Sequence, residues 1–171
     1  MRSLIWFRND LRVDDNPALS NCCVISEEVI AVYFLTESQW EQHNDSKAKK
    51  SFWLRSLVCL EKELQKLNIP LLIIETENYD SIYASLLKLM QQYDCKSLYF
   101  NNEYPVNELK RDRYIFKSFK EIGFGVFNYH DQVIHPPGSL KTKAGGNFSV
   151  YSPFKRKWFE ELREEQLALF D

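Results

Sequence analysis

Glycine is missing where a nucleotide-binding α/β protein most needs it. Between the apolar run Ser3–Phe7 and the pair Asn16-Pro17 there is none, so the G-x-G-x-x-G turn that lets backbone approach a pyrophosphate is absent. This argues against an NAD-type site, and whatever binds at this junction is held by side chains. The four cysteines, Cys22, Cys23, Cys59 and Cys95, form no C-x-x-C pair and stand near no histidine at metal-ligand spacing. They read as small packing residues in a reducing compartment, and no metal site is expected. A charge excess is missing too: the formal net charge is -2, so nucleic acid is expected to be contacted elsewhere than on this chain. No apolar run approaches the roughly 18 residues of a membrane span, and the N-terminus enters a strand without the apolar region of a signal peptide. The expectation is a cytoplasmic protein without membrane contact. At 171 residues, 44% of them hydrophobic, a single core is expected.

What is present alternates between strand and helix patterns. Ser3–Phe7 suits a buried strand, and Asn16 before Pro17 reads as an N-cap with proline at the first helical position, opening a helix to Ser26. Val29–Leu35 is an apolar run typical of a strand buried on both faces. A loop carrying Trp40 and His43 follows, and then from Lys47 to Leu67 the apolar residues Phe52, Leu54, Leu57, Leu60, Leu64 and Leu67 recur near helical period, with Asn68 and Pro70 closing that helix. Strands are expected at Pro70–Glu75, Ser97–Asn101 and Gly123–Phe127, with helices around Ile82–Met90 and over Pro105–Ile122. The fold class is therefore α/β: a doubly wound, five-stranded parallel sheet, Rossmann-like, with helices on both faces. Ligands of such sheets sit beyond the carboxyl ends of the strands. The loops that matter then carry Arg8–Asp14, Trp40–Asn44 and Asn102–Glu108.

Glu108 and Asn107 fall in the first turn of the helix that begins near Pro105, where unpaired N–H groups favour a carboxylate. Glu108 can simply help that helix start. A carboxylate also matches two neighbouring N–H donors on an amidine-like ligand edge. His43 can hydrogen-bond a ligand or cap its loop, and Trp40 can stack on an aromatic cofactor or fill space. Trp6, Trp53 and Trp158 read as packing residues. Arg8, Asp10, Arg12, Asp14 and Asp15 alternate in sign, which suits internal ion pairing or the grip of an anionic tail. Lys141, Lys143, Lys155, Arg156 and Lys157, interleaved with Phe148, Tyr151 and Phe154, suggest either nucleic acid or a solvated face. Helical spacing at Phe159, Leu162 and Leu169 predicts a last helix over Phe154–Phe170.

Several strings occur in an order that identifies a family. Trp6-Phe7-Arg8-Asn9-Asp10-Leu11-Arg12 with Asp15-Asn16-Pro17-Ala18-Leu19, Gln39-Trp40 with His43-Asn44, Asn107-Glu108, Val133–Gly138, and Tyr151–Trp158 together resemble the N-terminal domain of DNA photolyases and cryptochromes. The combination is most similar to folate-class cyclobutane pyrimidine dimer photolyases. The resemblance implies an antenna domain core over residues 1–130, with residues 131–171 starting a linker to a helical FAD-binding domain. It implies 5,10-methenyltetrahydrofolate held by Asn107, Glu108 and His43, FAD and damaged DNA bound by the helical domain, and a monomer. It further implies that in the full-length protein excitation of the folate passes to reduced FAD, which splits the pyrimidine dimer as a deoxyribodipyrimidine photo-lyase. No residue here is a catalytic acid, base or nucleophile in that scheme, and the 171 residues alone are expected to be inactive. By the same resemblance Lys155–Lys157 become a solvated or interdomain face, and the stop at Asp171 reads as a cut. A cryptochrome, a deazaflavin antenna, or a stand-alone nucleotide-binding or adaptor module are the alternatives.

Overall fold

A computed structural model describes residues 1–42 and 44–170. Strand β1 (Arg2–Phe7) lies at the centre of the sheet, paired in parallel with β2 (Glu28–Leu35) and with β4 (Ser97–Asn101). Outside them lie β3 (Leu71–Glu75) and β5 (Gly125–Tyr129), also parallel, giving the order β3-β2-β1-β4-β5. The chain winds outward through β2 and β3, then crosses back to β4, so the winding reverses between β1 and β4. Successive side chains of β1 face opposite ways. Ile5 and Phe7 pack under α1 (Pro17–Ile25) and α3 (Lys47–Lys66), against Leu19, Leu57 and Leu60. Leu4 and Trp6 pack under α4 (Tyr79–Gln92) and α5 (Val106–Glu121), against Ile82, Leu86 and Ile115. The doubly wound parallel sheet expected from the sequence is the fold observed.

Three boundaries differ from the sequence reading. Residues expected as loop form a short helix, α2 (Glu37–Gln42), in which Thr36 O accepts from the backbone N–H groups of Gln39 and Trp40. A helix of six residues is too short to display a period. The last strand starts at Gly125, two residues later than expected, because Gly123 still belongs to the end of α5. Gly123 has φ +89°, its N–H reaches Lys120 O, and the Phe124 N–H reaches Phe119 O, the paired bonds of a Schellman stop. Finally, α6 (Tyr151–Glu160) stops well short of Phe170, and residues 164–167 make a single 3-10 turn. None of the α6 residues is buried, so the apolar spacing there does not mark a core face. The tail returns to the β1–α1 loop, where the Asp15 N–H donates to Phe170 O at 2.9 Å. Among the described residues, no helix is long and apolar enough to cross a membrane.

The β1–α1 loop is pinned to the end of β4 by Asn101, which is buried. Its Nδ2 donates to Asp10 Oδ2 at 2.7 Å and to Asn16 Oδ1 at 2.8 Å, while its Oδ1 accepts from the Ala18 N–H at 3.2 Å. Asn16 caps α1 as the sequence predicts, accepting from the Leu19 N–H at 3.1 Å. Burial pushes the Asp10 carboxyl above its usual range, against the pull of the Arg8 charge and of the N–H donors of Arg8 and Asn101. One amide thus satisfies three groups of the β1–α1 loop and the first turn of α1, and losing it strands several of them. Asn101→Ala is expected to lower stability by about 2–3 kcal/mol. A urea titration with an unchanged m-value and a lower midpoint is the check, and an unchanged midpoint would contradict this role.

Candidate functional site

A cleft of about 440 Å³ opens at the carboxyl ends of β1 and β2, beside the point where the winding reverses. Trp6 and Arg8 come from the end of β1, Tyr33 and Phe34 from β2, and Trp40 from α2. Trp53 stands on α3, Tyr79 starts α4, and the first turns of α5 supply Asn107, Glu108 and Arg111. The structure therefore gathers the three loops picked out by the sequence. Asn107 and Glu108 line the cleft. His43 lies outside the described residues. Trp40 is buried and stacked on Trp53, with ring centroids 5.5 Å apart and planes 24° apart. Trp53, read from sequence as a packing residue, also lines the cleft, with the Lys49 ammonium 4.6 Å from its ring centre.

Beneath the cleft lies a cluster of four buried charges, Arg8, Glu103, Arg111 and Asp112. Arg111 Nη2 donates to Glu103 Oε2 at 2.7 Å and to Asp112 Oδ1 at 2.8 Å. Arg8 Nη1 reaches the same Asp112 oxygen at 3.1 Å, and Arg8 Nε faces Glu103 Oε2 at 3.9 Å. Two cations balance two anions, which is the condition for burying such groups without a net charge. The guanidinium faces are covered by rings. Arg8 lies 4.4 Å from the Trp6 ring centre and 4.9 Å from that of Phe100, and Arg111 lies 4.7 Å from Trp6 and 4.6 Å from Tyr79. Burial alone would raise the Glu103 carboxyl, but Arg8, Arg111 and the hydrogen bonds of Arg111 and Asn9 outweigh it and hold the group below its usual range.

On the cleft wall, the Tyr79 hydroxyl donates to Glu108 Oε1 at 3.0 Å. Burial is the main cause that pushes the Tyr79 phenol well above its usual range, with the Glu108 charge adding to it and Arg111 opposing, so it stays a neutral donor. Of the other candidates, Arg12 pairs with Asp131 and with the backbone oxygen of Asp15, fixing its own loop. Lys155 and Arg156 are exposed, and Lys157 pairs with Glu161. Arg111, Asp112, Glu103 and Tyr79 escaped the sequence reading. The available signal was the buried stripe of α5 through Ile115 and Phe119, which extends back to Arg111 and Asp112 within a segment that looks solvated.

The charge balance has a pH signature. Because the fold lowers the Glu103 pKa, its contribution is complete above about pH 5 and is lost as the pH falls through the usual carboxylate value and below. Glu103→Gln leaves two cations facing one carboxylate and is expected to cost about 3–5 kcal/mol at neutral pH. Urea unfolding of both proteins across pH should show the gap narrowing below about pH 4. A gap that stays constant into acid would contradict the assignment.

Comparison with known proteins places this geometry in a lineage. The chain matches the family model described as DNA photolyase over residues 3–169. It is 35% identical over 162 residues to the deoxyribodipyrimidine photo-lyase of Buchnera aphidicola, covering 94% of this chain and 34% of that protein. Among solved structures, a bacterial class III photolyase from Agrobacterium tumefaciens superposes with a TM-score of 0.78 at 25% identity, covering 99% of this chain and 33% of that one. An archaeal photolyase from Sulfolobus tokodaii, solved with two FAD molecules, superposes with a TM-score of 0.72 at 25% identity, covering 96% of this chain and 36% of that one. The chain thus spans about a third of the length of the curated relatives it matches. With an aromatic cleft at the sheet's carboxyl edge and a family match running nearly end to end, the chain belongs to the DNA photolyase family.

Proposed function

We propose that this chain is the light-harvesting, antenna-chromophore-binding domain of a deoxyribodipyrimidine photo-lyase that repairs pyrimidine dimers in DNA. Glu108 and Asn107 support this most directly, standing together in the first turn of α5 at the edge of an aromatic-lined cleft. The residues fit a pterin. A carboxylate only accepts hydrogen bonds, so Glu108 suits the adjacent N–H donors of an aminopyrimidinone edge, and Asn107 can both donate and accept beside it. The cleft, at about 440 Å³, is within the range of small-ligand sites, and Trp40 and Trp53 line it with apolar ring surface. We therefore favour 5,10-methenyltetrahydrofolate as the chromophore, with His43 as a third polar contact.

Such a chromophore, when bound, absorbs near-ultraviolet light and delivers the excitation to a reduced flavin. The contribution of this chain is to bind and orient the ring, and to keep it dry against the buried floor of Trp6 and Tyr33. FAD and the damaged strand are assigned to a helical domain in the full-length protein, with residues 131–171 starting the linker toward it. The two FAD molecules of the archaeal relative agree with a family in which a second chromophore accompanies the flavin. Without that domain the 171 residues are expected to show no lyase activity.

The test is the spectrum of the full-length protein purified in the dark, followed by a light-dependent repair assay. A folate band beside flavin bands, with repair, is expected, whereas flavin without repair would make the protein a cryptochrome and no chromophore would favour a nucleotide-binding or adaptor module. In the same protein, Glu108→Gln is expected to lose most of the near-ultraviolet antenna band. Retention of that band at the wild-type level would remove Glu108 from the site.

A further inference from the structure

Building on the chromophore reading of Glu108, we propose that Tyr79 is a positioning residue for that carboxylate, held in place by a stack of alternating rings and guanidinium groups. The stack runs Phe100, Arg8, Trp6, Arg111, Tyr79, with each guanidinium carbon 4.4–4.9 Å from the ring centres on either side of it in that order. It crosses from the middle of the sheet to the first residue of α4. Of its two cations, Arg111, the one beneath Tyr79, is bonded to both Glu103 and Asp112, and Arg8 is bonded to Asp112 through Nη1. Tyr79 therefore rests on a fixed cation, and its hydroxyl projects to Glu108 Oε1 at 3.0 Å.

That bond does more than join two helix starts. A glutamate side chain has several freely rotating bonds, and ordering it when a ligand arrives reduces affinity. With Oε1 held by Tyr79, Glu108 is ordered before the ligand arrives, and Oε2 is left to take the ligand's N–H donors. The phenol is suited to this because its burial keeps it protonated and donating. Since the donor is neutral, the negative charge of Glu108 is not cancelled, and its attraction for donors on the ligand is retained. An ammonium or guanidinium in the same place would order the carboxylate and neutralise it together.

The experiment uses full-length protein carrying Tyr79→Phe, Glu108→Gln, or both, titrated with 5,10-methenyltetrahydrofolate and followed by near-ultraviolet absorbance. Phenylalanine keeps the ring on Arg111 and removes only the hydroxyl. Tyr79→Phe is expected to weaken binding about tenfold, the effect of losing one hydrogen bond to a charged group. The double variant is expected to bind no more weakly than Glu108→Gln alone, because the hydroxyl acts through that carboxylate. Unchanged affinity in Tyr79→Phe, or losses that simply add, would overturn the positioning role. A second readout needs no ligand: the ¹³C chemical shift of the Glu108 carboxyl should move on Tyr79→Phe, and a stationary shift would also overturn it. If wild-type protein takes up no folate, the chromophore reading falls, and the carboxyl shift alone decides whether Tyr79 holds Glu108.

Discussion

Two arginines are buried against one tryptophan, and much of the carboxyl edge of the sheet is arranged around making that tolerable. A guanidinium removed from water needs both counter-charge and a surface for its faces. Glu103 and Asp112 supply the charge, and Trp6, Phe100 and Tyr79 supply the faces. These groups come from β1, β4 and the loop after it, α4 and α5, so satisfying the arginines fixes where those elements meet. The cleft is the space left above this arrangement. Its walls are set by electrostatic necessity below and ring packing at the sides.

The absence of glycine in the β1–α1 loop takes on meaning in this setting. A dinucleotide fold brings bare backbone against its ligand, which requires glycine at the turn. Here the same turn is occupied by Arg8 and Asp10, both buried, and is stitched to Asn101 and Asn16 by side-chain hydrogen bonds. A phosphate has no backbone cradle to enter. The floor instead offers flat aromatic surface, and the hydrogen-bonding groups stand on α2, α3 and α5 around it. What fills this one loop thus replaces a backbone cradle for pyrophosphate with an aromatic floor on the same parallel architecture.

The sheet was legible because each strand is short, apolar and separated by helical patterns, and because Asn16-Pro17 marks a helix start without ambiguity. The positions of Asn107 and Glu108 were legible for a related reason: a helix opening after a strand announces its first turn. The supports of the site were not. Arg111 and Asp112 sit in a run of four charged residues that looks like a solvated face, and only the three-dimensional neighbourhood of Trp6 turns it inward. Tyr79 begins a helix whose start carries little signal, and its partner Glu108 is 29 residues away. Trp40, open in sequence between cofactor stacking and packing, and Trp53, read as a packing residue, show no link until α2 and α3 bring their rings together. Pairings of this kind depend on tertiary proximity, to which local period is blind.

The small helix α2 gives the cleft an unequal set of walls. Six residues cannot sustain an isolated helix in water, since the cost of nucleation is spread over too few backbone bonds. It is held to the protein by the face of Trp40 laid on Trp53 and by the Ser38 hydroxyl, which donates to Glu77 O. The central strands β1 and β4, by contrast, are buried almost throughout. Amide protons of residues 37–41 should therefore exchange through a local opening far below the global unfolding free energy, while those of β1 and β4 exchange last. An opening of this wall then needs no rearrangement of the buried charges: the Trp40–Trp53 contact parts while the floor of the cleft stays intact.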